Sequence, residues 1–438
     1  MSHGPDISGV EWFRQASPYI NAHRDRVFVI AFGGEALLSP GYANLIHDIA
    51  LLSHLGIRLV LMPGIRAQID SRLKIRGIES HYHNGLRITD DKALPTVKEA
   101  AGTVRVEVEA MLSMGLVNTP MSGSRLRVTA GQFVTARPYG VHDGVDFCHT
   151  GAIRRIDTET IRGALEKGQL VLLSPLGYST TGETFNLRAE DVAMQAAIDL
   201  HADKLIYLLA KNGVRDGSKK IIRQLNPSDC DKLIGGRRKL DEVTTTCLHN
   251  GARACRHGVP RTHLLGYQEN GALLAELFTR DGCGTMINSD NYEYVRHASA
   301  EDAAGIFELI EPLQADGTLV RRSREQLEID IDNFSVIERD GMITACAALY
   351  RYAENVGELA CLATHPDYTN TGRAELLLNT IESKARASGV ENLFVLTTRT
   401  SHWFRERGFQ LGEIGQLPVK KRQFYNYQRN SKFFVKPL

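Results

Sequence analysis

Residues 357–375 read Gly357-Glu358-Leu359-Ala360-Cys361-Leu362-Ala363-Thr364-His365-Pro366-Asp367-Tyr368-Thr369-Asn370-Thr371-Gly372-Arg373-Ala374-Glu375, and this stretch sets the reading of the C-terminal part of the chain. It begins as a short apolar run of strand character, which Pro366 stops. A polar turn follows, and Glu375-Leu376-Leu377-Leu378 opens a helical pattern running to about Ala387. A strand feeding a tight glycine-bearing loop at a helix N-terminus is a device for holding phosphate. Loop amides point at the anion, and the helix dipole favours negative charge. Gly372 and Ala374 are small enough for a pyrophosphate to approach the backbone, and Arg373 can add a cation. A strand–turn–helix whose glycine serves only the turn fits the same residues, so the stretch alone leaves both readings open.

Working outward, Leu393-Phe394-Val395-Leu396-Thr397-Thr398 reads as a second strand, and Trp403-Phe404-Arg405-Glu406-Arg407-Gly408-Phe409 as a helix closed by a Gly-Phe turn. In this order the segments resemble the GNAT acyl-CoA-dependent N-acetyltransferases over roughly residues 295–438. That family's loop pattern is Gln/Arg-x-x-Gly-x-Gly/Ala. Thr369 takes the first place, Gly372 the fourth and Ala374 the sixth. Thr369 departs from the pattern and removes a side chain that usually helps on the pyrophosphate. The resemblance implies acetyl-CoA as co-substrate, held by Cys361, Leu362, Ala363, Thr369, Asn370, Thr371, Gly372, Arg373 and Ala374.

The bulk properties fit a globular chain of two domains. The chain has 438 residues, 43% hydrophobic and 24% charged, with net charge +1. This is ordinary globular composition without a nucleic-acid or membrane signature. There is no basic stretch followed by an apolar run at the N-terminus, and no run approaches a membrane span. Seven cysteines lie scattered with no C-x-x-C pair, which suits a reducing cytoplasm. His81-x-His83 lacks a nearby third ligand, so no metal is expected.

Residues 1–24 read as a helical segment, with Trp12, Phe13, Ala16, Tyr19 and Ile20 at helical spacing and Pro18 as a possible kink. Val27 to Gly34 is a buried strand ending in a glycine pair, a helix follows through His54, and Ile57 to Gly64 is the next strand. This is a parallel βαβ unit. The pattern resumes near Leu170–Pro175 and Lys204–Leu209, with shorter β segments between Leu126 and Asp146. Residues 25–287 therefore read as an α/β domain with an open, mainly parallel sheet and helices on both faces. Polar residues 288–294 read as a linker, and 295–438 as a second α/β domain opened by Ser299 as an N-cap.

The first domain resembles the amino-acid kinase family, most closely its acetylglutamate branch. The matching segments are Gly33-Gly34, Gly85 to Asp90, Asn186 to Asp191 and Glu276 to Thr285. The kinases carry a lysine two residues before the glycine pair, where this chain has Ala31. Their second glycine-rich run is Met62-Pro63-Gly64-Ile65 here. Phosphoryl transfer is positioning and charge neutralisation, so a domain lacking its phosphate cation and cradle is read as non-catalytic.

The joined arrangement resembles the bacterial two-domain N-acetylglutamate synthase family over essentially the whole chain. The resemblance implies acetylation of L-glutamate, the opening step of arginine biosynthesis, in a cytoplasmic homo-oligomer, with a hexamer as the candidate form. It places glutamate at Leu319, Arg321, Cys361, Arg429 and Ser431. Arg321 and Arg429 suit a bidentate carboxylate clamp, and Arg322 can share or replace Arg321. Glu358 is the candidate general base for the α-ammonium, with a structural ion pair as the alternative. Backbone amides near Cys361 and Leu362 can polarise the acetyl carbonyl. No tyrosine falls on the Trp403-Phe404 helix to protonate the thiolate, which leaves Thr397 as the weaker candidate. Cys361 has no histidine beside it in sequence, so direct transfer is favoured over an acetyl-cysteine intermediate.

The acetylglutamate-kinase resemblance further implies an L-arginine effector site at Tyr19, His263, Glu276, Gly282 and Gly284. Glu276 would meet the guanidinium, and amides of the Gly282-x-Gly284 turn the carboxylate. Three rivals stand beside this reading. They are an acetyltransferase for another amine, a working kinase with an accessory GNAT domain, and a non-enzymatic arginine sensor.

Overall fold

In a computed structural model of the chain, the described residues are 7–114, 126–236, 240–289, 294–339, 341–352, 355–369, 372–423 and 431–438. The chain divides into two units, residues 1–290 and 291–438. The N-terminal unit grows from Val27–Phe32, an uninterrupted apolar run that only a strand covered on both faces can accommodate. It lies inside an eight-stranded sheet. From edge to edge the strands are Gln224–Leu225, Thr285–Ile287, Arg261–Gly266, Lys204–Leu209, Val27–Phe32, Arg58–Pro63, Leu170–Leu172 and Val128–Ala130. Pairing is parallel throughout except between Arg261–Gly266 and Thr285–Ile287.

Alternation along the strands feeds two cores. Val29, Val60, Leu205 and Tyr207 face one, where Val192, Ala196, Leu248 and Ala252 come from the helices Ala189–Leu200 and Glu242–Arg256. Phe28, Ile30, Leu61 and Ile206 face the other, where Ile46, Ile49, Val97 and Val104 come from Tyr42–His54 and Ala93–Ser113. The short β segments expected after Leu126 are divided among three sheets: Val128–Ala130 is an edge of the eight-stranded sheet, Val134–Pro138 joins a four-stranded sheet beside Gly151–Ile156, and Val141–His142 pairs with Val145–Asp146. The N-terminal helix runs Ile7–His23 straight through Pro18. It buries Ala16 and leaves Trp12 and Phe13 42% and 60% exposed. His23 Nε2 fastens its end, 2.8 Å from the Leu277 carbonyl.

The C-terminal unit is a seven-stranded sheet in the order Tyr294–His297, Phe334–Arg339, Met342–Tyr352, Val356–Thr364, Asn392–Thr397, Lys432–Pro437 and Gln410–Leu411. The pair Val356–Thr364 and Asn392–Thr397 is parallel, and the others are antiparallel. Helix Ala303–Ala315 covers one face through Ile306 and Ile310. Helix Arg373–Ala387 covers the other through Leu377, Ile381 and Ala385. Ser299 and Asp302 form a capping box ahead of the first of these helices. No helix among the described residues is long and apolar enough to cross a membrane.

Candidate functional site

The cleft of the C-terminal unit begins where a parallel pair comes apart. Val356, Gly357 and Glu358 register with Asn392, Leu393 and Phe394, and no pairing between these strands continues beyond Glu358 among the described residues. From Leu359 to Thr364 that edge of the strand has no partner strand among the described residues. On its other edge the ladder carries a bulge, with Cys361 and Leu362 set against Ala347 alone. Cys361 takes the left-handed conformation there, at φ 50°. Such an outlier in a non-glycine residue is stored strain of the kind found at functional sites. Burial pushes the Cys361 thiol up, against the pull of Arg322.

The loop expected to hold pyrophosphate follows this strand. Thr369 sits exposed, its hydroxyl donating to the Pro366 carbonyl at 3.1 Å. Asn370 and Thr371 lie outside the described residues. Gly372 stands at φ 85°, where a side chain is disfavoured although a Cβ would meet nothing within 4 Å. It begins the helix Arg373–Ala387 without a side-chain cap, so the first-turn amides, including that of Ala374, remain available for an anion. Uncapped first-turn amides of this kind suit an anion such as a phosphate. Arg373 is buried, with its guanidinium 4.2 Å from the Tyr368 ring centroid.

Glu358 is buried at the point of divergence, and both its oxygens are engaged. Lys421 Nζ lies 2.7 Å from Oε1. The Tyr352 hydroxyl donates to Oε2 at 2.8 Å. Burial first, then Glu358, raises the Tyr352 phenol, which therefore stays a donor. Thr397 is buried on the neighbouring strand, its oxygen accepting from the Thr400 amide at 3.1 Å and lying 2.8 Å from the Thr400 hydroxyl. Its hydroxyl therefore closes a turn.

On the acceptor side, Ser323 caps the helix Arg324–Ile329 and leaves Leu319 to Arg322 as an irregular lead-in. Leu319 is half-buried against the helix core. Arg321 faces solvent, whereas Arg322 turns inward. The Arg322 guanidinium touches Cys361 Sγ and lies 5.4 Å from the Tyr350 ring centroid. Ser431 is buried, and Arg429 lies outside the described residues. The geometry thus gathers Glu358, Cys361 and Arg322, with Tyr350, Tyr352 and Lys421 beside them. Sequence reasoning missed Lys421 and the two tyrosines, although the alternate spacing of Tyr350 and Tyr352 on one strand face was a visible signal.

In the N-terminal unit, a cavity of about 380 Å³ is lined by Ala31, Gly33, Gly34, Gly64, Arg66 and Arg188 among others. Ala31 offers no cation. A Cβ on Gly33 would fall 2.4 Å from Glu35 Oε2, so a carboxylate lies against the glycine pair, where it opposes a phosphate. Elsewhere in this unit, Glu276 accepts from the amides of Cys283 and Gly284 at 2.6 and 2.8 Å, and its Oε1 lies 2.7 Å from His263 Nδ1. Burial opposes its charge, but the His263 bond and the amides outweigh it and hold the carboxyl down to about 2. Burial pushes the His263 ring down, and its Nε2 is buried without a hydrogen-bond partner among the described residues. Gly282, at φ 59°, packs a would-be Cβ 2.4 Å from Glu276 Oε2. The Gly284 amide, expected to meet an effector carboxylate, is instead spent on Glu276. Tyr19 is half-buried beside His23, ring centroids 6.4 Å apart. Burial and then Lys204 pull His23 down to about 4. Buried Lys204, at the head of an apolar strand, was the signal for a cation near this cluster.

Residues 26–265 match the amino acid kinase family, and residues 304–409 match the acetyltransferase (GNAT) family. The two matches define an N-acetyltransferase carried behind a kinase-like domain. The amino-acid acetyltransferase of Pseudomonas fluorescens (strain Pf0-1) is 53% identical over 430 residues, covering 98% of this chain and 99% of the relative. That of Azotobacter vinelandii is likewise 53% identical, with the same coverage. The crystal structure of N-acetylglutamate synthase from Neisseria gonorrhoeae, complexed with coenzyme A and L-arginine, superposes with a TM-score of 0.88 at 39% identity, covering 98% of this chain and 99% of that one. The same Neisseria enzyme complexed with coenzyme A and N-acetyl-glutamate gives a TM-score of 0.63. The chain belongs to the amino-acid acetyltransferase family that includes N-acetylglutamate synthase, and its acetyl donor is acetyl-CoA.

Proposed function

We propose that the protein acetylates the α-amine of L-glutamate, the first step of arginine biosynthesis, and that L-arginine regulates it through residues 25–287. The observation that carries the acceptor is Arg322, turned inward beside the Cys361 bulge and Glu358. A guanidinium there suits a small dicarboxylate. Arg322 is the clamp residue favoured by this geometry, ahead of exposed Arg321, with Leu319, Ser431 and Arg429 completing the acceptor site. In the reaction, Glu358 takes a proton from the α-ammonium, directly or through a water. The freed nitrogen forms the bond to the acetyl carbonyl carbon as the carbon–sulfur bond breaks, and the departing thiolate takes up one proton. Amides at the bulge near Cys361 and Leu362 face the developing oxyanion. Thr397 is the hydroxyl proposed as proton donor, and it must leave Thr400 to act.

For the effector, His263, Glu276 and Tyr19 would contact arginine, with Gly282 and Gly284 shaping the carboxylate's turn and Lys204 supplying the cation that arginine's carboxylate requires. Helix Ile7–His23, fastened at His23 and carrying exposed Trp12 and Phe13, is the element proposed to respond. The enzyme is placed in the cytoplasm as a homo-oligomer, a hexamer being the form proposed. Acetyl-CoA consumption against a panel of amino acids, with and without ATP, tests the acceptor. Glutamate should give the highest kcat/KM without ATP, and equal rates with other amino acids would sink the assignment. Calorimetric titration of arginine into the full chain tests the effector site. Binding should be lost in Glu276→Ala, and no binding to the active wild type would remove the sensor.

A further inference from the structure

Glu358 sits on the central strand of its unit, yet its ion-pair partner comes from a distant part of the chain. Lys421 lies on the short helix Val419–Gln423, and its Nζ is 2.7 Å from Glu358 Oε1. The Glu358 side chain is 5% exposed and that of Lys421 24%. A charged group buried to this degree is costly unless it is paired and hydrogen-bonded. The other titratable groups facing Glu358 among the described residues are Tyr352 and Tyr350 from the adjacent strand, Cys361 from its own strand and Arg322 from the lead-in. The opposite strand presents Phe394, which carries no charge. Arg322 is committed to Cys361 and Tyr350, so Lys421 is the cation in direct contact.

We infer that Lys421 is a positioning residue for acetyl transfer, its ammonium holding one Glu358 oxygen aimed to receive the acceptor's proton while Tyr352 fixes the second oxygen. This rests on the reading of Glu358 as proton acceptor. The proton passes from the acceptor nitrogen to a Glu358 oxygen and later to solvent, and Lys421 keeps its own protons throughout. An ion pair serving only the fold would show itself in stability and not in the pH dependence of the rate.

The test is the pH profile of kcat/KM for the full-length enzyme and its Lys421→Met, Lys421→Gln, Lys421→Arg and Glu358→Gln variants. Removing the ammonium should move the acid limb to higher pH by about one unit. The rate at pH values on the limb should then fall about tenfold, and the deficit should close as pH rises above it. Lys421→Arg should keep the limb in place, and coenzyme A affinity by calorimetry should be unchanged in all four. Lys421→Gln keeps a polar side chain without the charge and carries the same expectation, so one variant failing to fold leaves the test intact. A limb that stays put in the charge-removing variants, or a rate lowered equally at every pH, overturns the proposal. A limb retained in Glu358→Gln overturns the proton-acceptor reading instead.

Discussion

Glu276 and Glu358 are equally buried, each side chain 5% exposed, and each has both oxygens engaged. Their partners differ in kind. Glu276 is held by two backbone amides and a buried histidine. Glu358 is held by the tips of two side chains, Lys421 and Tyr352. An amide in a folded turn cannot swing away, whereas an ammonium on four methylenes can share or yield its position. Burial alone therefore does not tell a fixed carboxylate from the one proposed to work. What the partners are attached to does.

The largest effect expected from this contrast is at Glu358. Glu358→Gln should lower turnover by roughly 10²- to 10⁴-fold, the usual worth of a general base, while calorimetry finds coenzyme A bound nearly as before. Near-wild-type turnover would collapse the contrast and make both glutamates structural. The next effect sharpens the fixed side. Glu276 is depressed from 4.5 to about 2, so its contribution is fully present above about 4.5 and is lost as pH falls toward 2. That loss is ~3 kcal/mol at full extent. Thermal melts across this window should fall less steeply in Glu276→Gln than in wild type, and parallel slopes would contradict it.

Third comes the acceptor clamp. Arg322→Ala should raise the glutamate KM roughly 10- to 150-fold, corresponding to ~1.5–3 kcal/mol for a charge-assisted contact, and Arg321→Ala less. The reverse ranking would move the clamp to the exposed arginine. The smallest effect is at Gly372→Ala. No atom stands within 4 Å of the added methyl, so only the φ of 85° is penalised, by about 1 kcal/mol. Coenzyme A affinity should weaken about fivefold by calorimetry. A much larger loss would mean that the loop tolerates no backbone adjustment at all.

The strands Val27–Phe32 and Lys204–Leu209 were legible because a fully covered parallel strand leaves an unbroken apolar run. The helix after Gly372 was legible through its glycine and its periodicity. The cleft itself was not. It depends on pairing that stops after Glu358 and Phe394, and nothing in the side chains announces where two strands part. The bulge puts Cys361, not a residue enriched at positive φ, into a left-handed conformation. Arg321 and Arg322 are neighbours in an irregular segment, and only the fold decides which faces inward. Lys421 is far from Glu358 in sequence, so a single chain without contacts gives no reason to join them. At the other carboxylate, the Gly282-x-Gly284 turn was visible as a donor of amides, but not that Glu276 itself receives them.

The chain contains two tryptophans, and the fold gives one to each unit. Trp12 stands on the helix proposed to respond to arginine, 42% exposed. Trp403 lies under the Arg407 guanidinium, 4.0 Å from its ring centroid, and edge-on to Phe404. The protein thus carries two built-in optical probes in unlike surroundings, a solvent-facing indole and one pressed against a cation. With Trp403→Phe the remaining emission follows the first unit as arginine is added. With Trp12→Phe it follows the helix Ser401–Arg405 of the second unit as coenzyme A is added. Light from one polypeptide can then be resolved into arrival of the proposed effector and arrival of the donor, with no label attached.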